Sequence, residues 1–178
     1  SVNERMDAFG KPICKIDLPI VNPPNNKNQA AAIAFINSHC NPEHEQELRS
    51  HLFQSGWRHV SSSSELAPAI KILPRTETAV VDAYLTPIMT EYLNGVSKHI
   101  KKGKLYVMTS AGGLVSRDNY RAKDSLLSGP AGGVVGAAFF GKQAGINNII
   151  GFDMGGTSTD ICRFDSKYDY KFEHQIGS

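Results

Sequence analysis

Residues 147–164, NNIIGFDMGGTSTDICRF, set two runs of apolar and β-branched residues on either side of adjacent glycines. That pattern predicts two short strands joined by a tight bend. Asp153 ends the first apolar run, where a carboxylate is out of place unless it meets solvent, a cation or a partner. Gly155 and Gly156 let backbone N–H groups converge on an anion without a Cβ in the way. Thr157, Ser158 and Thr159 add three hydroxyls to the same bend. Asp153 and Asp160 are then placed to hold Mg²⁺ through its water shell, since that ion favours carboxylate and phosphate oxygens. The competing reading is a plain hairpin with solvated aspartates. Two acids, two glycines and three hydroxyls within eight residues favour phosphate binding.

The remainder predicts an α/β chain with a mainly parallel sheet. Four prolines among the first 28 residues, Pro12, Pro19, Pro23 and Pro24, predict an extended edge segment followed by a loop. Ala30–Ile36 reads as a strand buried on both faces. Asn41 as N-cap and Pro42 at the first helical position open a helix that Gly56 stops. Arg58–Ser61 predicts a short strand, and Ser61–Ser64 its end and turn. Val81, Leu85, Ile88, Tyr92, Val96 and Ile100 recur at three- and four-residue steps, predicting a helix from Thr76 to Lys101 that Pro87 kinks or splits. Leu105–Thr109 predicts a strand ending at Gly112 and Gly113. A helix follows from Ser128, with Gly132, Gly133 and Gly136 allowing close packing. Tyr168, Tyr170, Phe172 and Ile176 alternate with polar residues as a third antiparallel strand, interrupted by His174.

Several functions are disfavoured. With 19 Lys plus Arg against 17 Asp plus Glu, the chain has no basic field for a nucleic-acid backbone. No apolar run approaches the roughly 20 residues that a membrane span requires. Cys14, Cys40 and Cys162 are too widely spaced for a zinc site, and with no export signal they fit a reducing, cytoplasmic setting. Gly136–Gln143 nearly spells a P-loop, but Gln143 has no hydroxyl and the segment continues a helix. His44 and His51 read as part of a solvated helix face, with His39 and Cys40 just ahead.

The stretch DMGGTSTD at 153–160, preceded by SGPAGGVVGA at 128–137, resembles the hydantoinase A and 5-oxoprolinase family. NPEHE at 41–45, SSSSEL at 61–66, RTETAVVDAYLTP at 75–87 and SAGGLVS at 110–116 resemble it too. The resemblance implies an actin-like ATPase (ribonuclease H-like) fold, with MgATP between two related domains that each open with an acidic Gly-rich hairpin. Residues 1–127 are then the last part of the first domain, and residues 128–178 the opening three strands of the second. Asp153, Gly155, Gly156, Thr157, Ser158 and Thr159 would form the second domain's phosphate hairpin, with Asp160 near the metal. Asp153 and Asp160 would act catalytically by organising Mg²⁺. The first domain's matching hairpin is absent, so the chain reads as a fragment carrying half of a cleft, inactive by itself.

The activity so implied is ATP-dependent hydrolysis of a small cyclic amide, 5-oxoproline being favoured by the AYLTP and FEHQIGS stretches. N-methylhydantoin hydrolysis, ketone carboxylation, a sugar-kinase-like reaction and a nucleotide-binding module without chemistry are the alternatives. The expected partners are the remaining domains or a hydantoinase B-type chain, and a homo-oligomer is compatible with the pattern.

Overall fold

The computed structural model describes residues 2–170. Their contacts form two compact units, one built on residues up to Lys101 with Arg121–Lys123, the other on Lys102–Tyr120 with the residues from Asp124 onward.

The first unit opens with β1 (Asn3–Met6) and β2 (Pro12–Asp17), an antiparallel ribbon. The sequence predicts an edge strand and a loop here, yet this segment pairs with itself. The reason is the turn: the Asp7 carboxylate accepts the N–H groups of Phe9 (2.9 Å) and Lys11 (2.8 Å), and Gly10 takes φ +81°. β3 (Ala30–Ile33) and β4 (His59–Ser62) form a parallel pair in register from Ala30↔His59 to Ile33↔Ser62, with α1 (Glu43–Gln54) as the crossover. Ile33, Leu48, Leu52 and Val60 make the core between them. α2 (Ser63–Leu66) is one turn, and α3 (Ile72–His99) runs 28 residues with Pro87 inside it. Of the kink or split expected at Pro87, the split does not occur. Pro87 is buried, and packing of that face offsets the hydrogen bond its ring removes, a cost of about 3 kcal/mol.

The helix begins one residue later than expected, so Pro42 and not Asn41 is its N-cap; Asn41, just before it, accepts the Glu43 N–H on its Oδ1 at 3.0 Å and so orders the entry to α1. The solvated helix face predicted for His44 and His51 is overturned. Buried His44 has its Nδ1 2.8 Å from Glu4 Oε2, within hydrogen-bond distance, and His51 Nε2 meets the Pro19 carbonyl at 2.9 Å. Both histidines fasten the N-terminal residues to α1, which a reading of helix periodicity alone cannot foresee.

The carboxyl ends of β3 and β4 are held by one buried acid. Glu45, fully buried, accepts hydrogen bonds from Phe35 N–H (2.9 Å), Ser38 Oγ (2.8 Å), Ser63 Oγ (2.7 Å), Ser64 N–H (2.9 Å) and Ser64 Oγ (2.6 Å). Arg75, also fully buried, donates to Ser38 Oγ (2.9 Å) and to the carbonyls of Phe35 (2.6 Å) and Ile36 (3.0 Å). Ser38 therefore relays between an anion and a cation, which is how two charges tolerate burial. Further along α3, buried Asp82 accepts Ser61 Oγ at 2.7 Å and the Lys123 N–H at 3.0 Å, tying the 121–123 segment to this unit.

In the second unit β5 (Tyr106–Met108) and β6 (Leu114–Ser116) form a hairpin, as do β7 (Asn148–Met154) and β8 (Thr159–Asp165), with α4 (Ser128–Gln143) between them in sequence. Thus only one of the four two-stranded sheets among the described residues is parallel, not the mainly parallel sheet predicted. Connections of four or five residues can return only antiparallel; β3 and β4 alone have a helix to cross over. Tyr168–Tyr170 lie outside any strand, and the rest of the predicted third strand lies outside the described residues.

α4 lies along the inner face of the β7–β8 hairpin through small residues four apart. A Cβ on Gly141 would fall 1.9 Å from Ile149 Cδ1, and one on Gly151 would fall 2.5 Å from Cys162 Sγ and 3.3 Å from Ala137 Cβ. Close packing by glycine is thus observed, but at Gly141 instead of Gly136, which faces open space. The paired Ile149 and Phe164 fill the far end, with Phe164 buried.

Two outcomes follow from this packing. Glu45→Gln sets an amide NH₂ against N–H and O–H donors and is expected to cost about 3 kcal/mol, read as a lower urea midpoint. Burial pushes the Glu45 carboxyl up, but hydrogen bonds from Ser64, Ser63 and Ser38 outweigh it and leave it below its ordinary range. Its contribution is therefore complete at neutral pH and is lost as pH falls through the folded-state value, so the Gln variant should lose less further stability on acidification. Gly151→Val, by overfilling the α4–hairpin contact, should cost about 1–3 kcal/mol in thermal or denaturant unfolding.

Candidate functional site

The register of β7 and β8 places Asp153 directly opposite Asp160 and Met154 opposite Thr159. Directly paired residues share a face, so the two carboxylates project from the same side of the hairpin. Because side chains alternate, it is the side of Ile149 and Gly151, the one α4 covers. Like charges at such a pair are destabilising unless something positive lies between or beside them. No cationic side chain is bonded to either aspartate among the described residues; Arg163 pairs with Asp165 further along β8. Both aspartates are solvent-exposed and so accessible to an ion from solution.

Beyond the aspartates the chain reverses over Gly155–Ser158, closed by a hydrogen bond from Gly155 N–H to the Ser158 carbonyl at 2.9 Å. Gly156 and Thr157 form the tip. Neither Gly155 nor Gly156 adopts positive φ. A Cβ on Gly156 would meet nothing within 4 Å, and one on Gly155 would make ordinary contact, 3.6 Å, with the Ser158 oxygen. Backbone conformation and packing therefore leave room for larger residues at both positions. What the glycines supply is an unobstructed approach to the backbone. The Gly155 N–H is engaged in closing the turn, whereas those of Gly156, Thr157 and Ser158 make no hydrogen bond among the described residues.

The structure thus brings together every residue the sequence singles out here: Asp153, Gly155, Gly156, Thr157, Ser158, Thr159 and Asp160 lie within one hairpin end. It adds one neighbour that sequence reasoning missed in this role. The place a Cβ would occupy on Gly133 is 4.0 Å from Asp153 Oδ2, an ordinary contact distance, so α4 meets the aspartate at this residue. The signal was present, since Gly133, Ala137 and Gly141 are spaced four apart on one helical face. The near P-loop at Gly136–Gln143 lies inside α4, as expected. Among the described residues no group of three or more His, Cys, Asp or Glu side chains is gathered as a metal centre. Any ion at Asp153 and Asp160 would need ligands from water or substrate as well. No helix among the described residues is long and apolar enough to cross a membrane.

Comparison with known proteins sets this hairpin in a family context. The chain is 44% identical over 151 residues to 5-oxoprolinase 1 of Arabidopsis thaliana, and 44% identical over 153 residues to 5-oxoprolinase of Saccharomyces cerevisiae, each alignment covering 82% of this chain. The chain spans only 12% of the length of either relative. Among solved structures it superposes on the ATP-dependent caprolactamase of Pseudomonas jessenii with a TM-score of 0.71 at 27% identity, over 91% of this chain and 25% of that one. The family model described as hydantoinase/oxoprolinase matches residues 75–178, which include α4, the paired aspartates and the glycine tip, and the chain accordingly belongs to the hydantoinase/oxoprolinase family.

Proposed function

We propose that this chain is part of an ATP-dependent cyclic amidohydrolase whose reaction is 5-oxo-L-proline + ATP + water → L-glutamate + ADP + phosphate. The observation that carries the reading is the hairpin end itself: two carboxylates in direct cross-strand register beside a glycine tip that neither conformation nor packing requires. Similarity to two 5-oxoprolinases favours this substrate, and similarity to an ATP-dependent caprolactamase supports ATP use on a cyclic amide.

In this reading the N–H groups of Gly156, Thr157 and Ser158, with the hydroxyls of Thr157, Ser158 and Thr159, bind and orient phosphate oxygens. Asp153 and Asp160 fit a divalent cation, since their mutual repulsion is otherwise uncompensated, and Mg²⁺ bound there would neutralise phosphate charge. Phosphorylation of the lactam oxygen would weaken amide resonance and open the carbonyl carbon to water. Binding and orientation of the transferred group account for the catalysis these residues supply.

The wider assignment belongs to the same proposal. It has residues 1–127 as the end of a first actin-like domain and residues 128–178 as the start of a second, in a cytoplasmic protein completed by further domains or by a hydantoinase B-type partner. Superposition of this chain on 25% of the caprolactamase chain supports its place in a larger protein, whereas the two contact units divide near Lys101 and do not mark the boundary at 127.

Product analysis of the complete protein supplied with MgATP and 5-oxoproline tests the reading. Glutamate and ADP in equal amounts are expected; a phosphorylated sugar would identify a kinase, and ADP without an organic product a nucleotide-responsive module. Asp153→Asn in that protein should lower kcat by about 100-fold while changing nucleotide affinity far less, as steady-state kinetics and calorimetry would report. Unaltered kcat would remove Asp153 from the site.

A further inference from the structure

The first unit holds a nucleophile and a base in contact, far along the chain from the glycine hairpin. Cys40 is exposed, and its Sγ lies 3.2 Å from the Nε2 of His39 and 3.6 Å from the Ala8 carbonyl oxygen. The other ring nitrogen, His39 Nδ1, is buried and has no hydrogen-bond partner among the described residues, so the thiol is the imidazole's one polar contact there. The backbone carrying the pair is fixed on both sides. Ser38 is bonded to Glu45 and Arg75, Asn41 Nδ2 donates to the Gly10 carbonyl at 2.9 Å, and Cys40 N–H donates to the Asn37 carbonyl at 3.0 Å. The other cysteines differ. Exposed Cys14 donates to the Lys15 carbonyl at 3.4 Å and has no imidazole hydrogen-bonded to it among the described residues, and half-buried Cys162 packs beside Gly151 under α4.

We propose that Cys40 is a covalent-modification site for soft electrophiles and peroxides, with His39 as its base. A thiol within hydrogen-bond reach of an imidazole is the arrangement that activates sulfur for attack, and exposure admits the reagent. With a haloacetamide, sulfur forms the S–C bond, the C–I bond breaks, iodide leaves and the thiol proton passes to Nε2. With hydrogen peroxide, sulfur attacks one oxygen and the O–O bond breaks. Sulfur is oxidised to the sulfenic acid, and the departing hydroxide recovers the proton from Nε2 and leaves as water. Neither step involves the glycine hairpin, so the site stands or falls independently of the nucleotide reading.

The test is a time course of the reduced protein with limiting iodoacetamide, followed by digestion and mass-spectrometric quantitation of the peptides carrying Cys14, Cys40 and Cys162. Cys40 should be alkylated roughly tenfold faster than Cys14, and His39→Gln should bring it down to the rate of Cys14, which itself stays unchanged. Parallel treatment with peroxide and dimedone should capture sulfenic acid at Cys40. Equal rates for Cys40 and Cys14 in the unsubstituted protein would overturn the proposal without reliance on any variant. An undiminished Cys40 rate in folded His39→Gln would overturn the role of the imidazole, and absence of dimedone capture would overturn the peroxide reaction.

Discussion

A single carboxylate organises the first unit. Glu45 reaches from α1 to the carboxyl ends of both parallel strands, accepting from Phe35 and Ser38 after β3 and from Ser63 and Ser64 after β4. Isolated, that charge would be prohibitively costly to bury; with five donors and Arg75 one hydroxyl away, it becomes the rivet between the loops that follow β3 and β4. The consequence reaches beyond stability. Ser38 is pinned between the two charges, and the adjoining His39–Cys40 pair inherits a fixed backbone from it.

The second unit rests on the opposite device, the removal of side chains. Small residues let α4 approach the β7–β8 hairpin closely, Gly141 at Ile149 and Ala137 at Gly151, and Gly133 lies at ordinary contact distance from Asp153. One face of the hairpin is thereby held against a helix, and the cross-strand aspartates emerge where the helix face ends in glycine. The other face carries exposed Ile150, Phe152, Met154 and Ile161. A strand pair so apolar on its outer face has the character of an interior element, in keeping with a chain that spans 12% of its relatives' length.

Much of the candidate site could be read directly because it is local. Asp153 to Asp160 are eight consecutive residues, and a glycine pair between β-branched runs has few conformations available. The fold was less legible. Short apolar runs, start and stop residues and helical periodicity located β4, β5, α1, α3 and α4, whereas the N-terminal ribbon turned on an Asp7 side chain bonding its own backbone, an interaction such signals do not record. His44 and His51 looked solvated because their partners, Glu4 and the Pro19 carbonyl, come from N-terminal residues some 30 to 40 positions away.

Local backbone chemistry, then, was enough to specify the hairpin, its carboxylate pair and the long α3 helix. Short-range sterics and hydrogen bonding act between neighbours that the sequence itself lays side by side. Tertiary structure alone decided that Glu45 and Arg75 share Ser38, that α3 continues through Pro87, and that Gly133 stands next to Asp153. Each depends on segments distant along the chain meeting at a few ångströms, where burial turns an ordinary side chain into a costly or a necessary one.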